Sequence, residues 1–397
     1  MGAGARGNAR AVIRYASGLV AIAAVAACQR AESAGEANGG AASAAVDFRV
    51  EVVASGLEVP WAFDFAPDGR IFLTERAGSI RVIRDGKLEP KPWATLPVAA
   101  TGEAGLMGIA VAPDFASSRA IYVVGTFRAG ESLVNRVIRY TDQRGVASEP
   151  DILIDGIPAA RFHAGDAIAF GPDGMMYVAT GDAMDPGSAR KPESLAGKIL
   201  RYRPDGTIPA DNPLAGSAMY AFGVRNVQGL AWSPDGQLFA TDHGPSGFPN
   251  ERFRRNHDEM NVIVAGGNFG WPDAAGRGGA PRYLDPLMEW NDPGVAPSGI
   301  AFYDAPLFAS WRGSVFVAAL RGERLLRVAV RRDSAAIGGW RVLHQETVVD
   351  TLGRLRAVRV GPDGAVWFTT SNRDGRGSPR PGDDRLLRVV PSRRAAR

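Results

Sequence analysis

Cysteine and histidine are scarce in this chain. Among its 397 residues there are one cysteine, Cys28, and four histidines. Without a second cysteine, intrachain disulfides are excluded as the source of stability. Positive charge is not concentrated either, because the 46 Lys and Arg residues are scattered along the chain. This pattern, together with the export signal described next, argues against nucleic acid as a partner.

The chain begins with a short apolar run that is preceded by basic residues. The run covers residues 15–27 and follows Arg6, Arg10 and Arg14. It is too short to span a bilayer as a helix and has the layout of a secretory signal. It ends in "VAAC", which resembles a bacterial lipobox with Cys28 as the lipidated first residue of the mature protein. We therefore expect a lipoprotein-type signal peptide over residues 1–28, with an ordinary signal peptide as the alternative.

The segment after the signal has the composition of a tether. Residues 29–46 are polar and rich in Ala, Gly and Ser, so they cannot bury a core and are predicted to be a flexible linker. Residues 47–393 remain for the folded domain, which is long for one domain unless it is a barrel or a propeller. We expect a periplasmic protein that contacts the membrane only through a lipid anchor.

One short motif recurs along the domain. An apolar residue is followed by Pro-Asp-Gly or Pro-Asp-Phe and then by a run rich in β-forming residues. The copies are "FAPDGRIFLTE" at 65–75, "VAPDFASSRAIYVV" at 111–124, "FGPDGMMYVATGD" at 170–182, "WSPDGQLFATDHG" at 232–244 and "VGPDGAVWFTTSN" at 360–372. Pro, Asp and Gly favour a turn, and Gly takes the positive-φ position, so each copy is expected to connect two strands.

The spacing of these copies predicts the architecture. The interval between the last two copies is about twice the others, which leaves room for an unmarked unit containing residues 313–330. The strands are short, tend to alternate apolar and polar residues, and no convincing amphipathic helix follows the signal. Repeats of this size predict an all-β fold, a six-bladed β-propeller of four-stranded antiparallel blades.

Chemically versatile residues fall where the predicted strands end. In a propeller such ends converge at one mouth of the central channel. The residues placed there are Glu103, His163, Asp182, Arg225, Asn226, Arg354 and Arg356. Arginine binds carboxylates and phosphates through paired hydrogen bonds, and histidine can act as a base near neutral pH. These residues predict a site for an anionic ligand beside an acid–base group.

An ordered series of motifs resembles a known family. The series is "VPWAFDFAPDG", "GEAGLMGIAVAPDF", "RFHAGDAIAFGPDG", "LAGKILRYRPDGTIPADNP", "GVRNVQGLAWSPDG", "DHGP", "GGNFGWP", "VAPSG" and "GRLRAVRVGPDG". It is similar to the pyrroloquinoline quinone (PQQ)-dependent glucose/sorbosone dehydrogenases, in particular the soluble aldose sugar dehydrogenases, and covers roughly residues 48–390. Members of this family are six-bladed, calcium-binding propellers, so the resemblance implies PQQ and Ca²⁺ as cofactors.

The resemblance implies roles for individual residues. His163 matches the general base that takes a proton from the substrate hydroxyl while a hydride passes to the quinone. Asp182 matches the carboxylate that orients this histidine. Arg225 matches a residue that stabilises negative charge developing on the cofactor. Gly244 and Pro245 match the residues whose backbone carbonyls bind Ca²⁺, a cation that prefers hard oxygen ligands.

The resemblance also implies a cofactor-binding set. Its members are Glu103, Arg225, Asn226, Arg321, Arg354 and Arg356. Arg354 and Arg356 match the pair that faces the cofactor carboxylates. The expected activity is oxidation of an aldose or related alcohol, with the electrons passing on to a separate acceptor.

Three departures from the family pattern leave alternatives open. Phe162 replaces a polar residue before the base, Val224 replaces a histidine in "GHRN", and residues 246–257 lengthen the segment between "DHGP" and "DEMN". A calcium-dependent propeller lactonase, or a cell-envelope binding propeller that has lost PQQ, therefore remains an alternative function. The arginine-rich site argues against a lactonase, because a neutral lactone needs no cluster of guanidinium groups.

Overall fold

Strands account for nearly all regular structure in the part of the chain that the structure describes. This computed structural model describes Met1 and residues 46–392, except 166, 254 and 255. The predicted signal peptide and almost all of the predicted linker lie outside the described residues. The helices are short: α1 (Phe115–Ser118) and three 3-10 turns at Pro186–Arg190, Pro306–Trp311 and Ile337–Gly339. Within the described ranges, no helix has the length and apolar character needed to cross a membrane.

The strands form six antiparallel sheets, each of which is one blade of a β-propeller. Blade 1 contains β2 (Pro60–Phe65), β3 (Ile71–Glu75), β4 (Ser79–Arg84), β5 (Lys87–Leu88) and β6 (Ala94–Thr95). Blade 2 contains β7 (Leu106–Val111), β8 (Ala120–Ala129), β9 (Ser132–Gln143), β10 (Val146–Ala147) and β11 (Asp151–Ala159). In both blades two strands share the outermost position, because β5 and β6 both pair with β4, and β10 and β11 both pair with β9.

The next three blades are regular four-stranded sheets. Blade 3 contains β12 (Ile168–Phe170), β13 (Met176–Ala179), β14 (Lys198–Tyr202) and β15 (Met219–Phe222). Blade 4 contains β16 (Val227–Trp232), β17 (Leu238–Asp242), β18 (Asp258–Ile263) and β19 (Met288–Trp290). Blade 5 contains β20 (Pro297–Tyr303), β21 (Ser314–Ala319), β22 (Arg324–Arg332) and β23 (Trp340–Val349).

The two ends of the domain meet in blade 6. Its inner strands are β24 (Leu355–Val360), β25 (Val366–Thr370) and β26 (Leu386–Pro391), and its outer strand is β1 (Phe48–Ala54). Phe48 pairs with Pro391, so the first strand of the domain closes the last blade. The innermost strands β2, β7, β12, β16, β20 and β24 contact one another in a ring around the channel. The six-bladed prediction is confirmed.

The repeated motif marks the turn between the two innermost strands of a blade. In the copies at 65–75, 170–182, 232–244 and 360–372 the glycine amide donates to the carbonyl three residues earlier, and each glycine has a positive φ. The unmarked unit is blade 5, where the 3-10 turn Pro306–Trp311 replaces the motif. The strands at 313–330 are β21 and β22 of that blade, as the spacing indicated.

The inner strands are apolar on both faces. All six residues of β7 and all six of β21 are buried, because each blade packs between two neighbours. The expected alternation of apolar and polar residues therefore fails in these strands. Each fully buried large apolar side chain contributes roughly 1.5–3 kcal/mol to stability. This packing holds the channel ends of the strands in fixed positions, and the candidate site lies there.

Candidate active site

His163 and Asp182 meet at the channel end of blade 3. His163 precedes β12, and Asp182 follows β13. The imidazole Nδ1 lies 2.8 Å from Oδ1 of Asp182, whose side chain is completely buried. The other oxygen, Oδ2, accepts a hydrogen bond of 2.8 Å from Nε1 of Trp271. Because a carboxylate only accepts, Nδ1 carries the proton and Nε2 is left with its lone pair.

The backbone around His163 is held by close packing. His163 itself has a φ of 55°, a left-handed conformation that is uncommon for residues other than glycine. A Cβ on Gly165 would lie 2.4 Å from the amide nitrogen of Gly181, and a Cβ on Gly181 would lie 2.0 Å from the carbonyl oxygen of His163. Glycine at both positions therefore lets the two segments touch, which fixes the imidazole against Asp182.

Arg225 links the histidine to blade 4. Its Nη2 lies 2.7 Å from Nε2 of His163, and its Nη1 donates to the carbonyl of His243 at 3.0 Å. Its Nε and Nη2 donate to Oε1 of Glu251 at 2.8 and 2.5 Å. Its backbone amide donates to Asp242, whose pKa is raised to about 6 because burial disfavours the charged form. Arg225 thus bridges the base and two carboxylates.

His163 and Arg225 open onto a cavity of about 490 Å³. Its lining side chains include four arginines, Arg225, Arg321, Arg354 and Arg376, and the carboxylate of Glu103. A neighbouring space of about 290 Å³ shares part of this lining and adds Phe162, Arg356 and Asp374. The concentration of guanidinium groups suits a ligand with several carboxylates.

The side of the cavity formed by blade 6 holds the pair Arg354 and Arg356. Nη2 of Arg354 lies 2.8 Å from Oδ2 of Asp374, and Nη2 of Arg356 lies 3.5 Å from the same oxygen. Burial alone would raise the pKa of Asp374, but the charges of the two arginines lower it overall. The guanidinium of Arg356 also lies over the ring of Trp61, 3.6 Å from its centroid. All three charged side chains are more than nine-tenths buried.

Glu103 lies between these two sides. Its Oε2 accepts the backbone amide of His163 at 3.2 Å, and its Oε1 accepts Nη1 of Arg376 at 3.0 Å. Burial would raise the pKa of Glu103, but electrostatic interactions with His243, Arg376 and His163, together with the hydrogen bond from the His163 amide, lower it overall. Glu103 therefore remains a carboxylate, and it binds the backbone of the loop that carries His163.

Gly244 and Pro245 lie just beyond the end of β17. A Cβ on Gly244 would lie 2.1 Å from the carbonyl oxygen of Asn256, so only glycine fits. The amide of Gly244 donates to Asp258, and the carbonyl of Pro245 accepts the amide of Asn256 at 2.9 Å. Among the described residues, no group of three or more His, Cys, Asp or Glu side chains could hold a metal ion. A site here would depend on backbone carbonyls, which suit Ca²⁺.

Two buried polar atoms at the cavity fit a polar ligand. Nδ2 of Asn226 and Nε2 of His243 have no hydrogen-bond partner among the described residues. Burial lowers the pKa of His243 to about 4, so its ring is neutral near pH 7. A buried donor without a partner is costly. A polar ligand in the cavity would satisfy such atoms, as expected for a cofactor-binding set that includes Asn226.

The structure brings most of the predicted site residues together. Arg356 lines the adjoining space, and Asp182 lies behind His163. The main cavity is lined by the other predicted residues, which are Glu103, His163, Arg225, Asn226, Gly244, Pro245, Arg321 and Arg354. Arg321 is the most peripheral, because it is exposed and bonded to Asn256 at 3.1 Å.

Sequence reasoning missed four residues around the site. Trp271 is one of them, and its indole Nε1 donates to Asp182. Asp374, Glu251 and Phe248 were not singled out. The inserted segment 246–257 was the available signal for Glu251 and Phe248, whereas Asp374 lies in a turn without a distinguishing motif.

Comparison with known proteins assigns the chain to a family. The model of the family described as glucose / sorbosone dehydrogenase matches residues 57–388. The chain belongs to the glucose / sorbosone dehydrogenase family. It is 32% identical to aldose sugar dehydrogenase YliI of Escherichia coli over 82% of this chain and 91% of that protein.

Two further relatives of the glucose / sorbosone dehydrogenase family are similar to this chain. The PQQ-bound form of aldose sugar dehydrogenase from Streptomyces coelicolor superposes with a TM-score of 0.74 at 36% identity. That match covers 87% of this chain and 98% of the Streptomyces chain. Quinoprotein glucose dehydrogenase B of Acinetobacter calcoaceticus is 34% identical over 58% of this chain and 53% of that protein.

Proposed function

We propose that this protein is a PQQ- and calcium-dependent dehydrogenase that oxidises an aldose or a related alcohol. Family membership and the names of the relatives support a PQQ-dependent sugar dehydrogenase. The observation that carries the proposal is the buried Asp182–His163 pair, whose Nε2 faces a cavity lined by four arginines. A base beside a polyanion-binding pocket is what oxidation of an alcohol by a carboxylated quinone requires.

His163 acts as the general base in this proposal. The substrate hydroxyl donates to Nε2 in place of Arg225, and the proton moves to the imidazole as the C–H bond of the same carbon breaks. Asp182 stabilises the imidazolium that forms, because its carboxylate already binds Nδ1 at 2.8 Å. Phe162 and Phe248, whose ring centroids are 5.8 Å apart, form an apolar part of the site wall.

The arginines and two carbonyl groups hold the cofactors. When bound, PQQ supplies the quinone that accepts the hydride, and Ca²⁺ supplies a Lewis acid beside it. Arg354 and Arg356 would bind cofactor carboxylates, and Asn226 would donate its Nδ2, which has no partner among the described residues. The carbonyl oxygens of Gly244 and Pro245 would provide the protein ligands for Ca²⁺.

The cofactor set and the turnover are tested in one titration. Purified apoprotein is titrated with PQQ in the presence of Ca²⁺ or EDTA, and cofactor absorbance and reduction of an artificial dye are followed across an aldose panel. We expect saturable PQQ uptake that depends on Ca²⁺, and dye reduction with at least one sugar. Failure to take up PQQ contradicts the proposal, whereas uptake without turnover on any sugar or alcohol supports the alternative of a binding propeller.

We also propose export and lipid anchoring through Cys28, followed by a flexible linker over residues 29–46. The basic residues, short apolar run and "VAAC" ending support this assignment. Radiolabelled palmitate should be incorporated into the full-length chain in a bacterial host, and Cys28→Ser should abolish incorporation. Recovery of the unlabelled wild-type protein in the cytoplasm would contradict it.

A further inference from the structure

Residues 246–257 are here named the inserted loop, and the first residues of this loop fold around one carboxylate. Oε2 of Glu251 accepts the backbone amides of Ser246, Gly247 and Phe248 at 2.7–2.9 Å. Oε1 faces the other way and accepts two hydrogen bonds from Arg225. The side chain of Glu251 is 1% exposed. The carboxylate thus fastens the start of the inserted loop to a residue of the site.

Arg225 is oriented by this contact. Glu251 binds Nε and Nη2 of the guanidinium, and the same Nη2 lies 2.7 Å from Nε2 of His163. Two donors that converge on one oxygen of a fixed carboxylate restrict the guanidinium more than a single bond would. A continuous series of hydrogen bonds therefore runs from Asp182 through His163 and Arg225 to Glu251, and a carboxylate stands at each end.

The order of charges along these four hydrogen-bonded side chains matters for proton transfer. When His163 accepts a proton, the imidazolium lies beside the guanidinium of Arg225, and like charges repel strongly at a buried site. The carboxylate of Glu251 balances the charge of Arg225, as Asp182 balances that of the imidazolium. The four-residue chain is then neutral when the base is protonated.

The inserted loop also covers the base. The ring of Phe248 packs edge-on against the imidazole of His163, with 5.4 Å between the ring centroids. Asn250 ties the same segment to the carbonyl of Met184 at 2.7 Å without contacting Arg225. Glu251 and Asn250 are therefore two separable attachments of the loop, because they bind different partners.

We propose that Glu251 is a positioning residue for the dehydrogenase reaction: it holds the Arg225 guanidinium on Nε2 of His163 and offsets its charge when the base is protonated. In cofactor-free protein this contact shields the lone pair of Nε2. During turnover it lets the substrate hydroxyl replace the guanidinium at the base without leaving two adjacent positive charges. This inference rests on the proposed function for its catalytic part only.

A first experiment needs neither cofactor nor substrate. Diethyl pyrocarbonate modifies neutral imidazole nitrogens, and its rate at His163 is measured by peptide mass spectrometry, with the exposed His344 as the internal reference. Glu251→Gln removes the negative charge and replaces one acceptor oxygen by an NH2 donor, which cannot accept a hydrogen bond from Arg225 or from the loop amides. The guanidinium should then leave Nε2 of His163. If nine-tenths of the base is shielded in wild type, labelling of His163 should rise about tenfold. Asn250→Ala, the matched control, should change the rate less than twofold.

A second experiment uses PQQ-loaded protein. Glu251→Gln should lower kcat about tenfold, while the Kd for PQQ stays equal to that of the wild type or decreases, because the site gains a net positive charge. Glu251→Asp keeps the charge and should recover kcat to within about threefold of wild type. The thermal midpoint of Glu251→Gln is measured to show whether this variant folds. If it folds poorly, the kcat of Glu251→Asp still tests the proposal.

Distinct outcomes overturn the inference and the proposed function. Equal labelling of His163 in wild type and Glu251→Gln, or equal effects of Glu251→Gln and Asn250→Ala, would show that the loop is merely structural. Weaker PQQ binding in Glu251→Gln, with kcat unchanged, would overturn the positioning role. If wild type takes up no PQQ, the proposed function fails, while the labelling result still decides how Glu251 acts on His163.

Discussion

The two sides of the cavity use the same kind of ion pair for different purposes. On the blade 4 side, Arg225 pairs with Glu251 at 2.5 Å, and on the blade 6 side, Arg354 pairs with Asp374 at 2.8 Å. All four side chains are at least nine-tenths buried. In both places a carboxylate neutralises a cation that would be costly to bury alone.

The difference lies in what each arginine faces. Arg225 contacts the imidazole of His163, whereas Arg354 shares Asp374 with Arg356, whose guanidinium lies over Trp61. In the proposed mechanism the first pair acts on a group that gains and loses a proton, and the second presents fixed positive charge to a ligand. We expect changes on the blade 4 side to act on kcat and changes on the blade 6 side to act on cofactor affinity.

The largest expected effect is that of His163→Ala on turnover. General bases contribute about 10²–10⁴-fold to the rate, so kcat at saturating PQQ should fall about 10³-fold. The Kd for PQQ should change less than about threefold, since fixed charge on the blade 6 side is intact. Steady-state dye reduction and absorbance titration measure the two quantities. Loss of PQQ binding in this variant would erase the distinction between the two sides.

Asp182→Asn should have the next largest effect. An amide can no longer hold Nδ1 in the protonated tautomer as a carboxylate does, and hydrogen-bond partners that orient functional histidines at metal sites are worth about 10–100-fold. We therefore expect kcat to fall by about 100-fold with PQQ affinity retained. The amide at Trp271 is also a poorer acceptor, so the thermal midpoint is measured in parallel. A normal kcat would mean that Asp182 only supports the fold.

Arg354→Ala tests the opposite side. A hydrogen bond to a charged group is worth about 1.5–3 kcal/mol, which corresponds to a Kd for PQQ about 10–100-fold weaker. At saturating PQQ, kcat should stay within about threefold of wild type. Arg312→Ala is the matched control, because Arg312 is an exposed arginine whose guanidinium pairs with Asp304 and lies away from the residues that line the cavity. A fall in kcat without a change in Kd would reverse the assignment of the two sides.

The fold and part of the site could be predicted from sequence, because both depend on a short motif that recurs along the chain. The propeller could be predicted because its turn motif recurs locally, and blade 5 could be inferred from spacing although the 3-10 turn at Pro306–Trp311 replaces the motif. His163 and Asp182 stand at the two ends of one such unit, so the fold that closes the unit also brings them together.

The partners of the arginines could not be predicted in this way. Glu251 reaches Arg225 across 26 residues and Asp374 reaches Arg354 across 20, through loops that carry no periodic pattern. Which carboxylate pairs with which arginine depends on side-chain geometry rather than on local propensity. The hydrogen bond from Trp271 to Asp182 joins residues 89 positions apart, and composition alone indicates only that such a tryptophan is buried.

The smallest expected effect is on stability, through Asp374. Burial would raise the pKa of Asp374, but the positive charges of Arg356 and Arg354 favour the carboxylate, so that the pKa lies below the ordinary value of 3.8. A carboxyl group with a lowered pKa in the folded state stabilises the protein above its unfolded pKa, and this contribution is lost as the pH falls through the folded pKa. Asp374→Asn should therefore lower the free energy of unfolding by about 1.5 kcal/mol at pH 7, the lower range for hydrogen bonds to charged groups.

The pH dependence of this difference separates charge from packing. Urea unfolding of cofactor-free wild type and Asp374→Asn should give a difference that is constant near neutral pH and shrinks below about pH 3.8, where the aspartate begins to be protonated in the unfolded chain. A difference that persisted undiminished at pH 2 would mean that Asp374 contributes through shape. The blade 6 ion pair would then be passive packing, and Arg354 and Arg356 would owe their positions to Trp61 and the surrounding strands instead.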